Sequence, residues 1–315
     1  MPRFILTLSI VCLFFVQTTR AEKFTVIQNE NGAAVNLNGK LLTQYLIKSG
    51  HKPIFWPVIG PNGKEITRSY PMVADGKPME RKDHVHHRSF WFTHGNVNGV
   101  DFWAENEKAG HIIHKSFKNT AGGDTAVIVT KNDWIGPDGT KHCEDVRSFT
   151  FGADGTNWWV DCDIIVTASG GDVTFGDTKE GSFGVRLAGT MKVDKPGKGT
   201  IVNSEGQTDR GAWGKRAAWV DYYGPLEGKT VGCAIMNHPD SFRHPTHWHV
   251  RTYGLFTANP FGLHHFEGKK LDELNGAHTL EPGESFTLKH RVLFHQGDEK
   301  EANIAGAYKA YAAVK

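Results

Sequence analysis

The sequence predicts an all-β chain, most simply two large antiparallel sheets packed as a sandwich, with one short helix near the C-terminus. Three observations carry this. Thirty-six glycines and 13 prolines in 315 residues cut the chain into runs of roughly strand length. Most of these runs alternate apolar and polar side chains, the pattern of strands with one buried face. Helical spacing of apolar residues is confined to the last segment.

Taken in order, the runs "KFTVIQ" and "AVNLNG" open the chain after residue 22, with Asn-Gly supplying a turn. "TAVIVTKNDWI", "RSFTFGA" and "WWVDCDIIVTA" follow, the last alternating cleanly from Trp159 to Ile164. "GTMKVD", "TVGCAIMNH", "HVRTYGLFTAN" and "FTLKHRVLFHQ" complete the predicted strands. The alanine-rich "EKEANIAGAYKAYAA", Glu299 to Ala313, is predicted as a helix with Asp298 as its N-cap. Evenly spread strand signals, with no repeat and no charged linker, predict one large domain over residues 22–315.

Residues 1–21 read as a secretory signal. Arg3 gives a positive end, Phe4 to Val16 is apolar, and Thr19-Arg20-Ala21 offers small residues where a signal peptidase cuts. The apolar run is short for a membrane span, and Ser9-Ile10-Val11 before Cys12 matches a lipoprotein cleavage box poorly. An exported protein, periplasmic or extracellular, is expected, with no membrane span in the mature chain. Lys and Arg, 36 in number, are interspersed with 34 Asp and Glu, so no polyanion-binding stripe exists and nucleic acid is not a predicted partner. Three cysteines remain after cleavage, Cys143, Cys162 and Cys233. Without a Cys-x-x-Cys spacing they read as buried small residues, a Cys143 to Cys162 bridge being the alternative.

Four segments could carry chemistry. "DHVHHRSFWFTHGNVNGVDFW", Asp83 to Trp103, gathers four histidines, two tryptophans and three phenylalanines. Read as a strand, it places His84 and His86 on one face and Val85 and His87 on the other. "HPTHWHVR" adds His247 and His249, and "NPFGLHHF" adds His264 and His265. If a divalent metal were held, His84, His86, His247 and His249 would be its ligands; otherwise no cofactor is predicted.

"GDVTFGDTKEGSFGVRL" offers Asp177 and Glu180 as candidate bases, whose pKa partial burial could raise. "IVNSEGQTDRGAWGKRAAWVDY" is too polar for a core and too aromatic for an ordinary loop. Sugar rings lay apolar C–H faces on indoles while their hydroxyls seek carboxylates, arginines and histidines, so this mixture suits a carbohydrate. No nucleophile elbow, phosphate loop or dinucleotide fingerprint is present.

The blocks from Tyr70 to Trp103, Gly171 to Leu187, Ile201 to Tyr222 and His244 to Gly262 resemble the PmoA-like family of exported bacterial proteins. That family's methane-oxygenase label would demand several apolar spans of about twenty residues, and none follows residue 21. The ending "HTLEPGESFTLKHRVLFH" is similar to the final strands of galactose-mutarotase-like supersandwich proteins, where a Pro-Gly-Glu turn precedes the last long strand. That resemblance implies a supersandwich binding sugars on one face of a large twisted sheet, and a histidine acid working with a carboxylate base. No catalytic residue of that family is carried onto this chain.

The expectation is therefore a carbohydrate-active protein, an epimerase, lyase or hydrolase acting on a sugar or sugar derivative. His86 or His87 would be its acid and Glu180 or Glu205 its base. Arg88, Trp91, Asp177, Arg186, Trp213, Lys215, Arg216, His249, Arg251 and Asn259 would bind substrate. A carbohydrate-binding module without turnover, or a histidine-ligated metalloprotein, are the alternatives.

Overall fold

A computed structural model describes residues 23–314; the expected signal segment lies outside them. The strands in chain order begin with β1 (Phe24–Asn29), β2 (Gly32–Leu37), β3 (Lys40–Ser49), β4 (Lys52–Val58), β5 (Phe90–His94) and β6 (His111–Ala121). They continue with β7 (Ala126–Ile135), β8 (Lys141–Asp154), β9 (Asn157–Thr167), β10 (Val173–Phe175), β11 (Gly181–Arg186) and β12 (Thr200–Asn203). The last are β13 (Trp219–Leu226), β14 (Lys229–Asn237), β15 (His247–Val250), β16 (Leu255–Asn259), β17 (His278–Leu280) and β18 (Ser285–Gln296).

Two eight-stranded antiparallel sheets result, the supersandwich expected. Sheet one runs β1-β2-β3-β4-β5-β11-β16-β15 and sheet two runs β12-β13-β14-β18-β9-β8-β7-β6, while β10 and β17 form a small ribbon. Sheet two shows the one-sided alternation read in the sequence: in β7 every second residue from Ala126 to Trp134 is buried. The central strands of sheet one differ, for β5, β11, β15 and β16 are buried along their whole length. One face of these strands, with Phe90, Phe92, Phe183, Trp248 and Phe256, meets sheet two in the main core. The other face carries a second cluster of Ile54, Trp91, Trp103 and Leu255, covered by the long connection between β4 and β5. That covered outer face holds the candidate site.

Three local expectations fail for physical reasons. "GTMKVD" is a 3-10 turn at Gly189–Met191 rather than a strand, because Gly189 and Gly199 let backbones approach so closely that a Cβ would strike Met79 or Met191. "HVRTYGLFTAN" is two strands, β15 and β16, joined by a turn at Arg251 to Gly254 where Arg251 N–H donates to Leu255 O at 2.7 Å. The C-terminal helix, α2 (Ile304–Ala312), follows a one-turn helix α1 (Leu263–Phe266) and starts five residues later than expected. Its N-cap is Asn303, whose side chain accepts from Gly306 N–H, while Asp298 caps the preceding turn. The three cysteines are buried and free, as first read. Cys162 lies opposite Phe149 in the ladder of β8 and β9, six residues along the strand from Cys143, which removes the disulfide alternative.

Candidate active site

Residues 81–89 are not a strand. His84 and Ser89 take left-handed backbone conformations (φ 44° and 55°), and His87 N–H donates to His84 O at 3.0 Å. The turn overrides the alternation expected, so His84, His86 and His87 gather instead of pointing to opposite sides. His84 and His87 stack with ring centres 4.8 Å apart, and His86 meets His87 edge-on at 4.6 Å.

Arg68, buried beneath the turn, holds this shape. Its Nη1 donates to Arg81 O, Asp83 O and Asp83 Oδ1, and its Nη2 to His84 O and His87 O, all between 2.8 and 3.1 Å. Arg186 completes the support by donating to His87 Nδ1 (3.1 Å) and Asp83 Oδ1 (3.3 Å). Burial would raise the Asp83 carboxyl, yet Arg186, His84 and Arg68 hold it below the usual range.

The chemistry of these contacts fixes proton positions. A guanidinium has donors only, so His87 Nδ1 accepts and Nε2 carries the hydrogen. Burial first, and then the Arg186 charge, push His87 well below the ordinary histidine range. It is a neutral hydrogen-bond donor, and its buried Nε2 has no partner among the described residues. With Nδ1 accepting from Arg186, His87 offers the cleft an N–H donor through Nε2. His86 is lowered to about 4 by burial and by Lys52, against Glu105 and Glu180.

From sheet one, β15 brings His249 to the same place. Its Nδ1 donates to Lys179 O at 2.7 Å, leaving Nε2 as a lone pair with no protein partner among the described residues. Burial lowers His249 to about 4 despite the Lys179 carbonyl and Glu180. Glu180 is not raised by its partial burial, contrary to the expectation for a base. Burial opposes its charge, but the Lys179 ammonium at 2.7 Å, with His249 and His86, holds it below the carboxylate range.

These groups line one cleft of about 550 Å³, with His84, His86, His87, Asp101, Trp103, Ala104, Lys179, Glu180, His249, Arg251 and Tyr253 around it. The volume suits a sugar-sized ligand. Beneath it, Trp91 stacks on His87 (5.6 Å, 11°) and meets Trp103 edge-on (5.5 Å). Trp91, Gly184, Thr257 and His249 form one cross-strand row. Gly184 is small by necessity, since a Cβ there would meet Thr257 at 2.5 Å and the Trp91 indole at 3.4 Å. Both indole nitrogens, of Trp91 and Trp103, are buried without a partner among the described residues.

The remaining expected residues divide. Arg251 enters the cleft and Trp213 lies beside it, with the Arg251 guanidinium 5.8 Å from the Trp213 ring and 5.7 Å from the Tyr253 ring. Trp91 is a layer deeper than a binding residue. Arg186 supports the histidine turn from below. Arg88 is consumed by a bidentate bond to Glu105 (2.7 to 2.9 Å), which also takes Lys52 at 3.0 Å. Asp177 accepts from His264 N–H and Gly276 N–H, and Asn259 accepts from Phe261 N–H and Gly262 N–H, so both pin loops.

Glu205 is exposed in the turn after β12 in sheet two, where Ser204 donates to it, and does not line the cleft. Lys215 and Arg216 are exposed and outside it, Arg216 donating to Pro245 O. His247 is bound to Glu267 at 2.8 Å. Among the described residues no group of three or more histidine, cysteine or acidic side chains is disposed to hold a metal ion, so the four-histidine ligand set is not assembled. Nor is any described helix long and apolar enough to cross a membrane.

Sequence reasoning missed Arg68, Asp101, Lys179 and Tyr253. The Tyr253-Gly254 pair was the available sign of a turn within "HVRTYGLFTAN", whereas nothing in the sequence distinguishes Arg68 from any other arginine.

The model of a family described as "Family of unknown function (DUF6807)" matches residues 32–309. No curated protein matches the chain. Among solved structures it is similar to a GH36 alpha-galactosidase from Geobacillus stearothermophilus, with 11% identity and a TM-score of 0.40 over 87% of this chain and 41% of that one. It is also similar to a glycoside hydrolase family 97 enzyme from Pseudoalteromonas sp. strain K8, solved with acarbose (11% identity, TM-score 0.35, 88% and 34% covered). A galactose mutarotase related enzyme from Lactobacillus acidophilus is similar at 9% identity and a TM-score of 0.32, with 86% and 97% covered. The chain spans less than half the length of either glycoside hydrolase. None of these carries the PmoA-like designation expected from the sequence.

Proposed function

We propose that this chain, which belongs to the DUF6807 family of unknown function, binds a carbohydrate in the cleft on sheet one and performs proton-transfer chemistry on it. One observation carries the reading: four segments far apart in sequence, at residues 84–87, 101–104, 179–180 and 249–253, converge on one cleft. Within it the unpartnered donor of His87, the free lone pair of His249, the ionised Glu180 and the Arg251 guanidinium surround an indole floor. Hydroxyl-bearing rings need that mixture of directional polar groups and aromatic surface.

At neutral pH the proton acceptors are His249 Nε2 and Glu180, because burial keeps His86, His87 and His249 neutral while Lys179 keeps Glu180 ionised. The donor is Tyr253, whose hydroxyl burial holds above its ordinary value and which shares the cleft wall. His87 polarises a substrate oxygen through Nε2–H without giving up its proton. A positioned acid or base contributes on the order of 10²- to 10⁴-fold. On an identified sugar substrate, His249→Ala and Glu180→Gln should each lower kcat by at least about 100-fold, with the melting temperature of each variant measured alongside. Full turnover in both variants, with the fold intact, would show that the chemistry is elsewhere.

A second reading, a carbohydrate-binding module without turnover, is favoured by one feature. Glu180 is paired with Lys179 and makes no direct hydrogen bond to a cleft histidine among the described residues. Binding without conversion of any bound sugar would select it.

A further inference from the structure

We infer that the sugar recognised here carries a carboxylate, as a uronic acid does, and that the Arg251 guanidinium receives it. This inference rests on the carbohydrate reading of the cleft and names its substrate class.

Arginine bookkeeping motivates it. Seven of the other arginines are engaged: Arg68 and Arg186 with Asp83, Arg88 with Glu105, Arg147 with Asp145 and Arg291 with Asp161, while Arg216 and Arg243 donate to carbonyls. Arg81 and Arg210 are exposed to solvent. Among the described residues Arg251 is thus the arginine that is partly buried and whose guanidinium makes neither a hydrogen bond nor an ion pair with the protein. Leaving a guanidinium partly desolvated without an anion is unfavourable, so its place in the cleft calls for a partner from outside.

The acids nearby do not supply one. Glu180 is taken by Lys179, Asp83 by Arg68 and Arg186, and Asp101 Oδ1 by the Trp103 and Ala104 backbone N–H groups. Asp194 lines an adjoining depression of about 400 Å³, together with Arg210, Trp213, Arg251 and Tyr253, but forms no ion pair with Arg251.

Geometry favours a planar anion. The guanidinium carbon lies 5.8 Å from the Trp213 ring centre and 5.7 Å from that of Tyr253, and its N–H groups meet no acceptor among the described residues. A fixed fork of that kind matches the two oxygens of a carboxylate. Arg251, with Tyr253, forms the wall common to both depressions, so a chain of sugar residues spanning them would place its acidic residue at the divide.

The test is calorimetric titration with methyl glucuronide and methyl galacturonide against methyl glucoside and methyl galactoside. The acidic sugars should bind at least about tenfold more tightly at low ionic strength, the preference should shrink with salt, and Arg251→Gln should erase it. Equal or tighter binding of the neutral sugars, or a preference untouched by Arg251→Gln, would overturn the carboxylate assignment while leaving the carbohydrate reading intact. Absence of binding by either class at tens of millimolar would overturn both. Tighter binding of galactose 6-sulfate than of the galacturonide would replace the carboxylate by another anion.

Discussion

His87 shows how much of the candidate site is decided by a single residue's neighbours. Its role as a neutral donor follows from Arg186 on one nitrogen and burial around the other, and its position follows from Arg68. That arginine donates five hydrogen bonds to the turn, which a lysine ammonium at the same place could not reproduce. Arg68→Lys should therefore lose about 2–4 kcal/mol of stability, measured by urea unfolding. Hydrogen exchange should show the loss of protection concentrated in residues 81–89; an unchanged midpoint and exchange pattern would show that the clamp is dispensable. Residue types near the cleft are legible in the sequence, whose motifs point to His86, Glu180, His249 and Arg251. Their pairing is not. Arg88 and Glu205 are as polar as Arg251 and Glu180, and only the partner Glu105 and the distant turn after β12 remove them.

At the scale of elements, the turn between β15 and β16 decides the cleft's wall. An alternating run long enough for one strand hides a hairpin there, because Gly254 alone adopts φ 98° and a single glycine in a strand-like run is a weak signal. Gly254→Ala would force an L side chain into that conformation, with its Cβ 3.3 Å from Leu187 O. A cost of about 1–2 kcal/mol is expected, together with weaker sugar binding as Arg251 and Tyr253 shift. Thermal melting and titration measure the two effects separately, and unchanged affinity would mean that the turn does not position the wall. The histidine turn at residues 84–87 failed similarly, because alternation cannot register a left-handed residue such as His84 that folds the chain back on itself.

The whole molecule was the most legible scale. Alternation in β7, β8 and β9 reports a face of a large sheet whatever its neighbours, so sandwich architecture survives local errors. The fully buried strands β5, β11, β15 and β16 carry no such signal, and they hold the site. Their burial has a consequence for stability. His94 and His249 are lowered to about 4 and His290 to about 3, in each case first by burial.

Between the ordinary value of 6.5 and about 4 the unfolded chain binds these protons and the folded chain does not. Stability therefore falls as pH drops through that window, by up to about 1.4 kcal/mol per pH unit for each fully buried histidine. His295, buried in contact with Asp221 at 3.0 Å, works in the opposite sense. Burial would lower it, but Asp221 raises it overall, so its contribution is present below the ordinary value and lost as pH rises through the folded one. With His86 and His87 lowered as well, five of these histidines act against His295 alone, and urea midpoints should fall steadily from pH 6.5 to 4.5. A flat profile would contradict the buried neutral histidines.

The cleft itself is open to a direct reading through its indoles. Trp103 in the cleft wall and Trp91 beneath it have Nε1–H groups without a partner among the described residues, as does Trp213 beside the cleft, whereas those of Trp56, Trp134, Trp158 and Trp248 donate to Glu65, Asp145, Ile59 O and Ala217 O. Titration of indole-¹⁵N-labelled protein with glucose, galactose and their uronic acids separates the two groups in one spectrum. A carbohydrate bound in the cleft should move the Trp103 and Trp91 resonances and leave the other four in place. Saturable binding that shifts only those four, or no shift at any indole with any of the sugars, would contradict it.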